Sequence, residues 1–347
     1  MPRLRRPLAA LTAASLLLTA CTTREMRIGA DDGSDACYQR RVQLDSTGDF
    51  FAEDIIRGAV IGAAGGAILG GLIAAARGGR GGDVAAGAGI GALAGGAAGA
   101  VGGYLTARQR QARDQAELTA LIGNDLAREN AELERAQLAF DLLMDCRFQQ
   151  AAAIREAHRR GALPTPAAQA QLARLREQAQ ADIALARLVN QRIATRGAEF
   201  DTAIATIAPD VKADYEARKA AAQRTVVSAQ ARQPVVVRLR PDPNAPEVAR
   251  VAAREPVRLR PATAGFAKVE TESGQVIGYA PANAFGTRAT GAPVRLGAAP
   301  PVPPPAAGAT DARSLAASNI ARRDNFAESV GTAEAALRGG GGFELAT

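Results

Sequence analysis

The residues able to do chemistry in this chain are three cysteines and one histidine, His158. One histidine argues against a His-based metal site or a catalytic triad, and we expect His158 to be solvated. A loose GxGxxA pattern at residues 87–92 follows no strand and has no acidic residue at the expected distance, so it does not predict a dinucleotide site. We therefore expect that the protein is not an enzyme and binds no metal and no cofactor. The chemistry that remains is that of the cysteine thiols.

The first cysteine ends a segment typical of secretion. Three arginines precede an apolar stretch, residues 8–18, that is too short to span a bilayer. Leu18-Thr19-Ala20-Cys21 then resembles a bacterial lipobox, which implies cleavage before Cys21 and acylation of its thiol. Because Thr22 is not the aspartate associated with inner-membrane retention, the resemblance implies the outer membrane. The alternative is an ordinary signal peptide with an incidental cysteine.

Cleavage at Cys21 leaves Cys37 and Cys146 as an even pair in an oxidising compartment, and we expect a disulfide between them. A straight helix from Tyr104 to Cys146 would lift Cys146 about 63 Å from the membrane. Residues 21–37 reach at most about 55 Å. A bend at residues 123–125, where Gly-Asn-Asp combines a helix stop with an N-cap, would bring Cys146 back. Otherwise the partner thiol belongs to another chain.

Half of the 36 glycines lie between residues 58 and 103, many of them four apart. Residues four apart share one face of a helix, so such glycines form a groove for another helix backbone. In water, eight glycines in the second helix cost about 8 kcal/mol relative to alanine, whereas a bilayer forces a helix to form. We expect a membrane hairpin over residues 55–105. The helix-packing positions are Gly58, Gly62, Gly66, Gly70, Gly87, Gly91, Gly95, Gly99 and Gly103.

Paired GxxxGxxxG helices in a lipid-anchored chain resemble the glycine-zipper two-helix outer-membrane lipoproteins of Gram-negative bacteria. The resemblance covers residues 1–105 and implies a membrane partner, and we expect copies of the chain to pack through the grooves as a homo-oligomer. Two alternatives stay open for the glycine-rich segment. It could be a flexible low-complexity stretch, or a soluble hairpin docked on protein.

Residues 118–207 have the pattern of coiled-coil helices, with apolar side chains seven apart and polar residues on the other faces. A break at residues 161–166 contains two prolines and predicts an antiparallel helical hairpin. A shorter helix should follow from Asp210 to Ala231. The apolar series are Leu126, Leu133 and Phe140, then Leu172, Ala179, Ala186, Ile193, Phe200 and Ile207.

After residue 233, short β-branched runs between turn residues predict five or six strands in a small barrel. The motif order over residues 226–286 resembles the bacterial SH3-like domain. Val237-Arg238 with Pro241 stands at that family's NVRxGP turn, Phe266-Ala267-Lys268-Val269 at its W-x-K-V strand, and Gly278-Tyr279-Ala280 at its GWV strand. Arg240 replaces the usual turn glycine and Phe266 the common tryptophan. The resemblance implies ligand candidates Arg238, Arg240, Phe266 and Tyr279. The alternative is a structural cap.

The C-terminal tail begins with a proline- and alanine-rich stretch, residues 297–308, that is typical of an extended linker. Residues 311–337 have a weak helical pattern, and we expect disorder there in preference to a helix that folds on a partner. Nucleic acid is excluded as a partner, because the compartment is wrong and aromatic residues make up only 4% of the chain.

These patterns together predict a multidomain, mainly α protein. It would comprise a glycine-zipper hairpin and antiparallel coiled-coil helices, then a small all-β SH3-like barrel and a disordered tail. The function expected is that of a non-catalytic outer-membrane lipoprotein facing the periplasm, whose SH3-like module contacts peptidoglycan or an envelope protein. The alternative is an oligomeric membrane assembly or channel. The segments are a signal peptide (1–20), a lipidated linker (21–54), the hairpin (55–105), a stalk (106–225), the barrel (226–288) and the tail (289–347).

Overall fold

A computed structural model describes residues 24–52, 103–297, 311–339 and 342–345. The predicted signal peptide, Cys21 and the regular glycines from Gly58 to Gly99 lie outside the described residues, whereas Gly103 lies inside. Within these ranges, no helix combines the length and the apolar character needed to cross a membrane.

The chain forms a mixed structure of helices and one antiparallel sheet. The helices are α1 (Arg24–Ile28), α2 (38–52), α3 (103–111), α4 (Gln115–Arg159), α5 (Thr165–Ile207), α6 (Val211–Arg224) and α7 (Ala312–Arg338). The strands are β1 (Val227–Ala231), β2 (Val235–Arg238), β3 (Glu247–Val251), β4 (Pro256–Pro261), β5 (Phe266–Glu270), β6 (Val276–Pro281) and β7 (Phe285–Thr287).

Helices α4 and α5 pack as the expected antiparallel pair. Cross-links between them run in opposite chain order, since Glu129 pairs with Arg196 and Arg147 pairs with Asp182. Their apolar residues seven apart are buried, apart from the half-buried Ile207 at the end of the series. The turn between them contains Gly161, whose φ of +73° suits a residue without a Cβ.

The predicted bend at residues 123–125 was wrong, because α4 runs through these positions without interruption. Ile122 and Leu126 are buried on either side, and one glycine in a helix costs only about 1 kcal/mol. The chain instead breaks at residues 112–114. There Asp114 accepts a hydrogen bond from the Glu117 amide, and the Glu117 carboxylate accepts one from the Arg113 amide. This reciprocal cap resembles a capping box and begins α4.

The segment expected as a linker, residues 21–54, forms α1 and α2 where it is described, and both pack on the α4–α5 pair. The structure contains the expected disulfide between Cys37 and Cys146, whose Cα atoms are 6.0 Å apart. Beside it, the buried Arg147 guanidinium binds both carboxylate oxygens of Asp35, at 2.6 and 2.7 Å. Its Nε donates to Asp182 at 2.6 Å, and Arg41 donates to the same carboxylate at 2.5 Å.

For residues 311–337, the expectation of disorder was also wrong, because the weak helical pattern forms the helix α7. Asp311 caps α7 by accepting hydrogen bonds from two backbone amides, and Gly339 follows its last turn. The apolar face of α7 is buried against α4 and α5, and Phe326 lies 5.8 Å from Phe140 between ring centroids. The helix is stable because this face completes the bundle core, a partner that the local sequence does not reveal.

The seven strands are antiparallel and follow the order β3-β2-β6-β5-β4-β1-β7. The predicted helix to Ala231 was too long, because residues 227–231 pair with β4 and β7 as β1. In β6, Gly278 has φ +151°, and a Cβ there would lie 2.5 Å from the Arg238 carbonyl oxygen. Only glycine allows β2 and β6 to approach this closely.

The helices and the sheet stack in a defined order. Successive residues of a helix are rotated by about 100° around its axis. By this measure, two groups of side chains on α5 lie about 120° apart, and the buried residues seven apart lie between the two groups. One group contacts α2, namely Asp182, Val189 and Arg196, and the other contacts α7, namely Arg187, Gly197 and Asp201. On α7, Glu328 faces the sheet from the side opposite Phe326. The sequence of layers is therefore α2, the α4–α5 pair, α7 and the sheet.

We predict that Phe326→Ala lowers the free energy of unfolding by about 3–4 kcal/mol, because it leaves a cavity in a fully buried site. Urea unfolding followed by circular dichroism measures the change. Leu138→Ala on α4 is the control, since that side chain is 57% exposed and should cost less than about 0.5 kcal/mol. Equal stability of Phe326→Ala and the unaltered protein would contradict the packing of α7.

We also predict that the double variant Cys37→Ser, Cys146→Ser is less stable by about 3–4 kcal/mol, because the disulfide closes a long loop. The two cysteines are 109 residues apart in the chain. Urea unfolding with and without reductant measures this effect. Reductant should destabilise the unaltered protein and leave the double variant unchanged, and any other pattern counts against the cross-link.

Candidate functional site

A cleft of about 560 Å³ lies where the sheet meets α4, α6 and α7. The helices contribute polar and charged side chains to its walls, among them Asp141, Lys219 and Glu328. The sheet contributes Tyr279 from β6 and the loop that follows β2, which contains Arg240. Four separate parts of the chain therefore have to assemble before the cleft exists.

Two ion pairs on α7 join it to the other walls of the cleft. Asp324 pairs with Lys219 of α6, with 2.6 Å between the charged atoms. Glu328 pairs with Lys268 of β5 and also accepts a hydrogen bond of 2.8 Å from the Tyr279 hydroxyl. These contacts fix α7 against both α6 and the sheet.

Arg240 joins the loop after β2 to α4. Its two terminal nitrogens donate to the two carboxylate oxygens of Asp145, at 2.6 and 3.0 Å. The same guanidinium lies 3.8 Å from the carboxylate of Asp141, one turn earlier on α4. A bidentate pair of this kind fixes the relative orientation of the two groups.

Burial raises the pKa of Asp141 to about 6, although Arg240 and a hydrogen bond from Gln137 favour its ionised form. The neighbouring carboxylates of Asp145 and Asp242 add to the increase. For Glu328, burial alone would raise the pKa, but Lys268 and the Tyr279 hydroxyl bring the pKa below its ordinary value. Burial and the charge of Glu328 raise the pKa of Tyr279 well above its ordinary value.

The cleft contains donors, acceptors and charges of both signs, which is a lining suited to binding a polar molecule. The one histidine of the chain lies at the α4–α5 turn, about 25 Å along α4 from Asp141 of the cleft. There the His158 Nδ1 atom lies 3.0 Å from the Leu163 carbonyl oxygen, and the side chain is half-buried. Within the described ranges, no cluster of three or more His, Cys, Asp or Glu residues is placed to hold a metal ion.

The structure brings two of the four predicted ligand residues into the cleft, Arg240 and Tyr279. Each of them already contacts a helix, Arg240 through Asp145 and Tyr279 through Glu328. Arg238 instead donates to the Ala245 carbonyl oxygen at 2.7 Å, and Phe266 is buried in the sheet. Of the remaining predicted site residues, the structure describes the disulfide cysteines, which lie elsewhere, and Gly103, which is buried at the start of α3.

Sequence reasoning missed the helical half of the cleft. Asp141 and Asp145 are four residues apart on α4, and two like charges at that spacing destabilise a helix unless a cation faces them. That spacing was a signal for an external partner such as Arg240. Asp324 and Glu328 were missed because α7 was expected to be disordered.

A scan against protein-family models found no match for this chain, and neither did searches of curated proteins and of solved structures. The case for a function therefore depends on the geometry and the sequence pattern.

We predict that Asp141→Asn makes the protein more stable at pH 7.5 and less dependent on pH between 4 and 7. The folded pKa of about 6 lies above the ordinary value of 3.8, so the stability that protonated Asp141 contributes is lost as the pH rises through 6. Asparagine stays neutral and should recover up to about 3 kcal/mol at pH 7.5.

Thermal unfolding at pH 5 and pH 7.5 tests this prediction. The quantity compared at each pH is the difference in melting temperature between the variant and the unaltered protein. Asp145→Asn is the control, because it weakens the bidentate contact with Arg240 and should lower the melting temperature at pH 7.5. The assignment is wrong if Asp141→Asn lowers it as well.

Proposed function

We propose that this protein is a non-catalytic lipoprotein of the bacterial outer membrane that acts as an adaptor between the membrane and the cell wall. Acyl chains on Cys21 and a glycine-zipper hairpin hold it in the membrane. An SH3-like barrel, formed by the seven strands, contacts peptidoglycan. One observation supports this proposal above the others: the two flanks of the glycine-rich segment leave the folded body at neighbouring points.

The two flanks meet on α5. Near the end of α2, the Phe50 ring lies 4.7 Å from the Arg196 guanidinium, and near the start of α3 the Tyr104 ring lies 4.9 Å from the Phe200 ring. Arg196 and Phe200 are one helical turn apart, and their side chains contact each other. Residues 52 and 103 therefore lie close together, although about 50 residues separate them in the chain.

Neighbouring ends are the geometry that an antiparallel helical hairpin requires. Residues 58–76 and residues 84–107 contain no charged side chain. A helix that spans a bilayer needs about 20 such residues. A hairpin of two such helices enters and leaves a membrane on the same side. The folded body then stays on one side of the bilayer while the hairpin occupies it.

The adaptor role is supported by the position of the SH3-like motif residues. Arg240 and Pro241, at the turn where the family motif stands, line the cleft together with Tyr279 of the motif's last strand. Charges of both signs and neutral amides suit a polymer that carries peptides and sugars. The alternative function, an oligomeric channel, stays a prediction, because its glycines other than Gly103 lie outside the described residues.

Membrane anchoring is tested by alkaline-carbonate extraction of the full chain and of Cys21→Ser. We expect the unlipidated variant to stay in the membrane pellet, because the hairpin remains in the bilayer. Adding Ile68→Asp and Leu93→Asp, which put a charge near the middle of each predicted helix, should then release it, since a charged side chain at the centre of a bilayer is costly. Release of Cys21→Ser alone would remove the hairpin from the proposal.

Wall contact is tested by sedimentation of the detergent-solubilised full chain with purified peptidoglycan sacculi. Thr263→Trp places a large side chain in the cleft and should abolish co-sedimentation. Ser273→Trp is the matched control, because Ser273 is exposed in the β5–β6 turn, outside the cleft lining. This variant should still co-sediment with the sacculi. If the unaltered protein stays in the supernatant, the adaptor role fails.

A further inference from the structure

The described ranges of the chain begin or end at three points that lie on one side of the folded body. The first is Arg24, three residues after Cys21, and the others are residues 52 and 103. We call the surface formed by residues 24–28, 38–52 and 103–111 the tether side. It consists of α1, α2 and α3.

Continuous side-chain contacts connect the three points. Arg27 binds Asp45 at 2.8 Å and Asp49 at 3.2 Å, and Arg24 lies 3.6 Å from Asp45. These contacts hold α1 alongside the last turns of α2. The first residue of α1 is thus fixed near the end of α2, from which the chain leaves toward the glycine-rich segment.

The contacts continue from α2 to α3. Phe50 is adjacent to Asp49 in the chain and packs against Arg196 and Arg128, at 4.7 and 5.3 Å from its ring centre. Tyr104 donates a hydrogen bond of 2.6 Å to Asp125, which lies one turn before Arg128 on α4. All three points therefore lie within one connected patch along the flank of α5.

The sheet lies on the other side of the molecule. The order of layers runs from α2 through the α4–α5 pair and α7 to the sheet, and packed layers are about 10 Å apart. The loop after β2 contacts α4 directly through Arg240, whereas β5 and β6 contact α7, so the sheet lies roughly 20–30 Å from α2. On α4, Leu138 is 57% exposed and lies about 180° around the helix from Arg147, which faces α2.

We propose that the tether side lies against the lipid bilayer and that the sheet, with its cleft, points away from it. This inference depends on the proposed lipid anchor and hairpin. Three residues span at most about 10 Å, so acyl chains on Cys21 bring Arg24 to the membrane surface. A hairpin that enters the bilayer at Ile55 brings residue 52 equally close. Three short tethers on one side prevent the body from turning the sheet toward the lipid.

The side chains of the tether side suit a lipid headgroup layer. The exposed residues of α2 are all polar and include one cation, namely Gln39, Arg40, Gln43 and Ser46. Tyr104 stands at one exit, and tyrosine is enriched at the membrane interface. Phe50 stands at the other exit, where two guanidinium groups pack on its ring. Arg24 and Arg128 are exposed beside them, where a guanidinium can bind a lipid phosphate.

The protein contains no tryptophan, so a single introduced tryptophan reports its own surroundings. Ser46→Trp and Gln109→Trp place the probe on exposed positions of the tether side. Leu138→Trp and Ser273→Trp are the matched controls on the far side. Each full-length lipidated variant is reconstituted into phosphatidylethanolamine–phosphatidylglycerol vesicles, with and without bromine on the acyl chains near the headgroup.

We expect the brominated vesicles to quench the fluorescence of Ser46→Trp and Gln109→Trp and to leave both far-side variants unchanged. Quenching of the far-side variants alone, or equal quenching of all four, would overturn the orientation. A blue shift of the Ser46→Trp emission without quenching would assign the tether side to a second copy of the chain, and this also overturns it.

Vesicle flotation separates this inference from the proposed function. Protein that fails to float with the vesicles contradicts the membrane anchor itself. Protein that floats, with near-side tryptophans that escape quenching, contradicts only the orientation. Circular dichroism and retention of the Cys37–Cys146 disulfide show that each variant has folded.

Discussion

The buried guanidinium of Arg147 holds three segments of the chain in register. It is inaccessible to solvent, and it binds Asp35 from the N-terminal segment and Asp182 from α5 while it belongs to α4 itself. A charge this deeply buried costs several kcal/mol unless its partners are in place, so other registers of the three segments are unfavourable. The Cys37–Cys146 disulfide lies beside it and fixes the same register covalently.

The register set at Arg147 determines where the chain leaves the body. From Arg41 opposite Asp182, α2 follows α5 past Val189 to Arg196, and α3 continues at Phe200. A shift of α2 by one turn would move the start of the glycine-rich segment about 5 Å away from its end. The buried ion network thus fixes where residues 52 and 103 leave the folded body, and both the proposed hairpin and the proposed orientation at the membrane depend on it.

Charged contacts also attach the sheet to the bundle. Arg240 binds α4, Lys268 and Tyr279 bind α7, and these contacts line the cleft instead of a purely apolar core. A joint made of ion pairs responds to pH, as the raised pKa of Asp141 shows. If the adaptor proposal is right, wall ligands meet a surface whose charges already serve as structural links between two modules.

The sequence by itself determined the α4–α5 pair and its turn, because side chains seven apart are a property of the chain alone. It predicted the pairing of Cys37 with Cys146 only once the lipobox resemblance had assigned the third cysteine, Cys21, to lipidation. It also predicted strands and placed Arg240 and Tyr279 together. It could not decide that residues 38–52 and 312–338 are packed helices, since their weak patterns gain stability only from α4 and α5. The cleft depended on tertiary structure for the same reason: Asp145, Glu328 and Arg240 are distant in sequence, and only packing of four elements brings their charges together.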